Sequence, residues 1–157
     1  MNKARSVKDV MSPDVMTVAD EMTTGELARY LTEHEISGAP VVDSQGHLVG
    51  VVSMTDIGRH VAEPSDFEFS GSSEFYRESN GALTLDDFGQ RYVEQSGATV
   101  RDVMTPVVHN VPANATLADA ARLMIREHIH RLVVTQGKQP VGIITSMDLL
   151  RVVADQS

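Results

Sequence analysis

The chain has no cysteine and no tryptophan, and only three tyrosines and four phenylalanines among its 157 residues. Without cysteine there is no disulfide and no thiol nucleophile, and the composition fits a reducing compartment, the cytoplasm. With so few aromatics the core must be built from Val, Ile, Leu, Met and Ala. No apolar run approaches the ~20 residues needed to cross a bilayer. Met1-Asn2-Lys3-Ala4-Arg5 is not followed by the apolar stretch of a secretory signal. Positive charge is also scarce. The net charge is −9, which argues against generic binding to nucleic acid or to an anionic membrane. No Walker loop, Gly-rich dinucleotide fingerprint, Gly-x-Ser-x-Gly or His-Glu-x-x-His occurs. No residue is therefore assigned a catalytic role.

What is present is a repetition. Val7-Lys8-Asp9-Val10-Met11-Ser12-Pro13 returns as Val100-Arg101-Asp102-Val103-Met104-Thr105-Pro106. Val49-Gly50-Val51-Val52-Ser53-Met54-Thr55-Asp56 returns as Val141-Gly142-Ile143-Ile144-Thr145-Ser146-Met147-Asp148. A self-match of this kind means one structural unit used twice. The repeats run over 7–62 and 99–154, separated by an insert over 63–98.

Each repeat reads β-α-β-β-α. In the first, Val15 to Val18 is extended, and Thr23-Thr24-Gly25-Glu26 is a capping box. Leu27, Ala28, Tyr30 and Leu31 form a helical apolar face. Gly38–Val42 and Leu48–Val52 are strands of a hairpin about the turn Asp43-Ser44-Gln45-Gly46, and a short helix follows from Asp56. In the second, Thr116-Leu117-Ala118-Asp119 is the capping box. Ala120, Ala121, Leu123, Met124 and Ile125 are the helical face. Leu132–Val134 and Val141–Ile144 are the strands, and Asp148–Val153 is the closing helix. A single three-stranded sheet with two helices is marginal alone, so the expected class is α+β, two units packed together.

The insert is acidic. Residues 61–98 hold eight acids against two bases, Arg77 and Arg91. Its first half reads as loop, with Phe67, Phe69, Phe75 and Tyr76 either pinning it to the body or forming a lid or partner surface. Leu85, Phe88 and Tyr92 fall on one face of a helix over Thr84–Glu94, with Gly97 as its stop.

Ser53-x-x-Asp56 and Thr145-x-x-Asp148 each follow a strand and open a helix. Both fit N-capping boxes. Both also fit a ligand site, because a carboxylate at such a junction can accept hydrogen bonds from the vicinal hydroxyls of a ribose. The hydroxyl and the first helical amides can hold a phosphate. One set of residues can serve both purposes. Arg59 and Arg151, one turn beyond the carboxylates, are further phosphate candidates. His128 and His130 would share a strand face, but no third ligand is evident and no metal site is assigned.

Ile36-Ser37-Gly38-Ala39-Pro40-Val41-Val42 followed by Gly50-Val51-Val52-Ser53-x-x-Asp56, the whole plan given twice, resembles a cystathionine-β-synthase (CBS) domain pair, or Bateman module. The resemblance covers 7–60 and 99–154. It implies two repeats with pseudo-two-fold symmetry and clefts that take AMP, ADP, ATP or S-adenosylmethionine as regulatory ligand, with no cofactor required. By position it places adenine against Thr17, Ile36, Ser37, Gly38, Ala39 and Pro40, with Ser53 and Asp56 on ribose and phosphate. The second site would use Asn110, Ile129, His130, Arg131, Leu132, Thr145 and Asp148. The second repeat departs from the pattern where His130-Arg131-Leu132-Val133 replaces Ser37-Gly38-Ala39-Pro40. The resemblance further implies a homodimer, paired through helices. With no effector domain attached, a signal is expected to pass to a separate effector protein or through self-association. Two alternatives remain at this point. One is an interaction module acting through the acidic insert without nucleotide; the other is a slow nucleotide hydrolase with Asp56 or Asp148 as base.

Overall fold

The computed structural model describes residues 5–61, 74–76, 97–106 and 109–156. In chain order the elements are α1 (Val7–Val10), β1 (Val18–Ala19), α2 (Thr24–Glu33), β2 (Gly38–Val42), β3 (Leu48–Ser53), α3 (Met54–Val61), a 3-10 turn (Glu74–Tyr76), α4 (Val100–Val103), β4 (Thr105–Pro106), β5 (Asn110–Pro112), α5 (Leu117–Glu127), β6 (Arg131–Gln136), β7 (Gln139–Thr145) and α6 (Ser146–Asp155). They form two compact units, Met16–Val107 and Met1–Val15 with Val108–Ser157.

In Met16–Val107 the strand order is β1-β2-β3-β4. β1 lies parallel to β2, and β2 and β3 form the antiparallel hairpin. Asp43 closes the hairpin turn, its Oδ1 accepting the N–H groups of Gln45 and His47 at 2.9 Å each. Gly46 takes φ 80° there, where a side chain would be strained. The N–H of Thr24 and the helix start follow Thr23, whose Oγ1 accepts the N–H of Glu26 at 3.1 Å. The expected return bond from Glu26 is not made, so this capping box is half formed. Leu27, Ala28 and Leu31 of α2 are fully buried against Ala39, Val41, Val52 and Ile57, with Tyr30 at the margin. Each buried Leu or Ile is worth about 1.5–3 kcal/mol in removal of apolar surface from water.

The fourth strand was not expected, and its origin explains the repeated opening motif. Val100 is part of this same core. The N–H groups of Val100 and Arg101 donate to the carbonyls of Met22 (2.8 Å) and Asp20 (3.0 Å). Asp20, buried, pairs with the Arg101 guanidinium. β4 then runs antiparallel to β3, Thr105 opposite Val51. A methyl group on Gly50 would lie 2.6 Å from the Thr105 carbonyl oxygen and 2.8 Å from Met104 Sδ. The opening motif of the second repeat thus closes the sheet of the first.

The other unit follows the same rule. Its sheet is β5-β6-β7, with β5 parallel to β6 and β7 antiparallel. The N–H groups of Val7 and Lys8 donate to the carbonyls of Ala115 (2.9 Å) and Ala113 (3.0 Å), and Ser12 exchanges both backbone bonds with Ile143. Met11 Sδ lies 2.5 Å from where a methyl on Gly142 would sit. In both openings the Asp caps its own helix: Asp9 Oδ2 accepts the Ser6 N–H at 2.9 Å, and Asp102 Oδ2 accepts the Thr99 N–H at 2.9 Å.

α5 carries the complete capping box of Thr116 and Asp119. Ala120 and Met124 face inward, while Ile125 is 74% exposed. Ile125 therefore does not belong to the apolar face assigned to it. One residue past Met124 it is turned about 100° round the helix. His128 ends α5 in the left-handed region at φ 56°, so it does not share a strand face with His130 as the alternation suggested.

Of the insert, the 3-10 turn and residues 97–98 are described. Phe75 and Tyr76 are 2% and 1% exposed, stacked edge to face at 5.3 Å. Phe67, Phe69 and the expected helix over Thr84–Glu94 lie outside the described residues.

Candidate functional site

Two sets of residues carry the chemistry singled out above, one in each unit. In Met16–Val107, Ile36 and Ser37 lead into β2, and Gly38, Ala39 and Pro40 are its first three residues, all buried. Val18 pairs with Val41, which sets Thr17 beside Pro40. β3 ends at Ser53, paired with Gly38. The N–H of Met54, first in α3, donates to the Ser37 carbonyl at 2.9 Å. The strand start and the helix start are thus held together by one backbone bond.

Ser53 and Asp56 are 2% and 5% exposed. Asp56 Oδ2 accepts the Ser53 N–H at 2.8 Å and the Ser53 hydroxyl at 3.2 Å, and the Asp56 N–H returns to Ser53 Oγ at 3.3 Å. The cap is complete. The other carboxylate oxygen, Oδ1, lies 3.6 Å from Arg59 Nη1.

The second unit repeats this geometry. Asn110 pairs with Val133, and Arg131 with Thr145. The Ser146 N–H donates to the His130 carbonyl at 2.9 Å. Ile129 and Leu132 are buried. Asp148 Oδ2 accepts the Thr145 N–H at 2.9 Å, and Thr145 Oγ1 accepts the Asp148 N–H at 3.2 Å. Arg151 Nη1 sits 3.3 Å from Asp148 Oδ1, with the Arg151 side chain 71% exposed. Arg59 is only 21% exposed in its pair. An ion pair as open as that of Arg151 is held by ~1 kcal/mol or less, so an incoming polar group can replace it.

In each set one carboxylate oxygen caps the helix and the other faces an arginine. That arrangement suits a ligand offering hydroxyls to the carboxylate and negative charge to the arginine. Arg59 and Arg151 thereby stand in the same place relative to the two carboxylates. Among the described residues no group of three His, Asp or Glu could hold a metal ion.

One feature of the first set is legible in the sequence only in part, since the aromatics of the insert are expected to pin it to the body or form a lid but with no place assigned. A methyl group on Gly38 would lie 2.7 Å from the Val52 carbonyl oxygen, 3.2 Å from Phe75 Cδ2 and 3.3 Å from Ser53 Cα. A residue of the insert, far along the chain, therefore sits on the candidate residues. Two surface hollows in the other unit, of about 330 and 530 Å³, are lined by residues including Lys8 and Asn114, and Arg122 and Arg126, respectively. Their linings include neither Arg131 nor Asp148.

Electrostatics set apart three other groups. The Asp43 carboxyl is held below its ordinary value, chiefly by the backbone N–H of His47. Asp102 is held low by the Thr99 backbone N–H and then its hydroxyl. The Arg101 guanidinium is pushed up by its bond to Asp20.

The CBS domain family model matches residues 7–63 and 100–155. The chain is 32% identical over 149 residues to an uncharacterised protein of Methanocaldococcus jannaschii, covering 92% of this chain and 88% of that one. The CBS domain of a CBS domain-containing membrane protein from Sphaerobacter thermophilus superposes with a TM-score of 0.69 at 31% identity, over 94% of this chain and 87% of the other. The structure of CBSX2 in complex with AMP, a protein of Arabidopsis thaliana, superposes with a TM-score of 0.66 at 25% identity, over 96% and 97%. Other curated relatives are longer. The chain spans 33% of one and 23% of another.

Proposed function

The chain belongs to the CBS-domain family, and from that premise we propose that it is a regulatory module, not an enzyme, that binds an adenosine nucleotide at Asp56 and at Asp148. The observation that carries this reading is the duplicated junction itself. Each carboxylate is buried, oriented by a complete cap, and has one oxygen facing an arginine. The AMP complex of CBSX2, a fold-mate at 25% identity, supports the ligand class. Ribose hydroxyls would take the place of the arginine at Asp56 and Asp148. Adenine would lie against Thr17 and the run Ile36 to Pro40 in one site, met at Ala39 by backbone alone because that side chain points into the core, and beside Asn110 and Ile129 to Leu132 in the other. Arg131, aligned with Thr145, would meet phosphate. On this reading the repeats occupy 7–62 and 99–154.

The module would work in the cytoplasm as a homodimer. Met147, Leu150 and Val153 of α6 are 52%, 59% and 65% exposed, a row of apolar side chains at helical spacing that supports pairing through this helix. No helix among the described residues is long and apolar enough to cross a membrane. The effector would be a separate protein.

A thermal-shift series with AMP, ADP, ATP and S-adenosylmethionine tests the ligand class. A compound present at a hundred times its Kd should stabilise the fold by about 2.7 kcal/mol. No shift with any of them contradicts the proposal and favours the interaction module without nucleotide. Release of phosphate from ATP over hours would contradict the non-enzymatic role.

A further inference from the structure

β2 and β3 have two faces. Ala39, Val41 and Val52 point into the core beneath α2 and α3. Strand alternation puts Gly38 and Pro40, with their partners Ser53 and Val51, on the opposite face. That face bears the first candidate site, and the Phe75 ring lies on it. Phe75 Cδ2 is 3.2 Å from the position of a Gly38 Cβ. The turn packs on both β2 and β3. Phe75 and Tyr76 are 2% and 1% exposed, so neither ring offers a free face on which a base could stack. Gly38 has no side chain, which lets the Val52 carbonyl oxygen, 2.7 Å from its Cβ position, and the phenyl ring both come close to its backbone.

We infer that the Phe75–Tyr76 turn is an internal plug of the first adenosine site, and that plug and nucleotide exclude one another. The inference rests on the nucleotide-binding reading above and adds its regulation. Ligand can enter the first site only in the fraction of molecules whose turn has left Gly38, and the apparent Kd rises by the inverse of that fraction. A plug seated in about nine molecules of ten weakens binding roughly tenfold. Occupancy is then read out as exposure of two aromatic side chains of the insert. At the register-equivalent place in the second site stands Arg131, paired with Thr145 as Gly38 is with Ser53.

The test uses the full chain with Asp148→Ala, which weakens the second site, and AMP as probe in isothermal titration. Phe75→Ala/Tyr76→Ala should bind AMP about tenfold or more tightly than the same chain with its aromatics, and Phe75→Leu should fall between. In the chain with both aromatics, saturating AMP should speed amide hydrogen exchange at Phe75 and Tyr76. Equal or weaker AMP binding by the variants, or unchanged or slower exchange, overturns the plug while leaving nucleotide binding intact. If the double variant fails to fold, Phe75→Leu and the exchange measurement decide. Absence of AMP binding by every one of these chains and by the parent overturns both the plug and the proposed function.

Discussion

The two units share a plan and differ in how they fill it. α2 presses Leu27 and Leu31 onto its sheet; α5 uses Ala120 and Met124 at the matching places. Asp20 and Arg101 form an ion pair where the other unit has Ala113 and Lys8, joined by a backbone bond alone. Gly38 lies under an aromatic ring where the other unit has Arg131. The backbone bonds that tie each opening motif to its sheet are nonetheless the same in both. Duplication has kept the backbone pattern and the caps at Asp9 and Asp102 and at Asp56 and Asp148. The box at Thr23 is half formed where that at Thr116 is complete, and side chains facing the core or the candidate ligand have diverged.

Leu27→Ala should have the largest effect, a loss of about 2–5 kcal/mol in urea unfolding, because a fully buried leucine leaves a cavity. Ile125→Ala, on the 74% exposed position of α5, should change stability by about 0.5 kcal/mol or less. Similar losses in the two variants would contradict the assignment of the inner and outer faces.

Next come the glycines under the methionines. Gly50→Ala should cost about 1–3 kcal/mol by overpacking, since its methyl would meet the backbone oxygen of Thr105 at 2.6 Å. Gly142→Ala should cost somewhat less, because its nearest backbone atom, the Ser12 oxygen, lies at 2.8 Å, and Met11 Sδ at 2.5 Å belongs to a flexible side chain. Chemical denaturation of the two variants side by side gives the order, and the reverse order would contradict the packing described.

Capping gives a smaller effect. Thr145→Ala should lose about 1 kcal/mol, measured by the same unfolding curves.

The smallest effect is in acid. Asp43 and Asp102, both in Met16–Val107, have folded pKa values below the ordinary 3.8. A depressed carboxyl stabilises the fold above its unfolded pKa, and that contribution fades as pH falls through 3.8 and on through the folded value. Asp102→Asn should therefore lower the melting temperature at pH 7 and flatten its fall between about pH 4 and pH 2. An unchanged acid slope would contradict the role given to the Thr99 bonds.

Much of this was legible in the chain. Periodicity and turn chemistry located the β2–β3 hairpin and both long helices, because Asp43, Gly46, Thr23 and Thr116 act on their neighbours through local hydrogen bonds. The caps at Ser53 and Thr145 were legible for the same reason. Sequence order did not show that Val100–Pro106 closes the sheet of the first repeat, nor that Phe75 lies on Gly38. Both are long-range contacts, and nothing in the spacing of residues along a chain encodes them. The face of α5 was drawn too wide, since Ile125 is apolar yet turned outward, and composition alone cannot separate an inner from an outer apolar residue one step apart.

The most direct measurement is an equilibrium titration of AMP into the parent, Asp56→Ala and Asp148→Ala. Each carboxylate should contribute about 1.5–3 kcal/mol of charge-assisted hydrogen bonding. Each variant should therefore lose one site by at least roughly tenfold and keep the other. If both variants bind AMP as the parent does, the carboxylates only cap their helices and the two-site account is wrong.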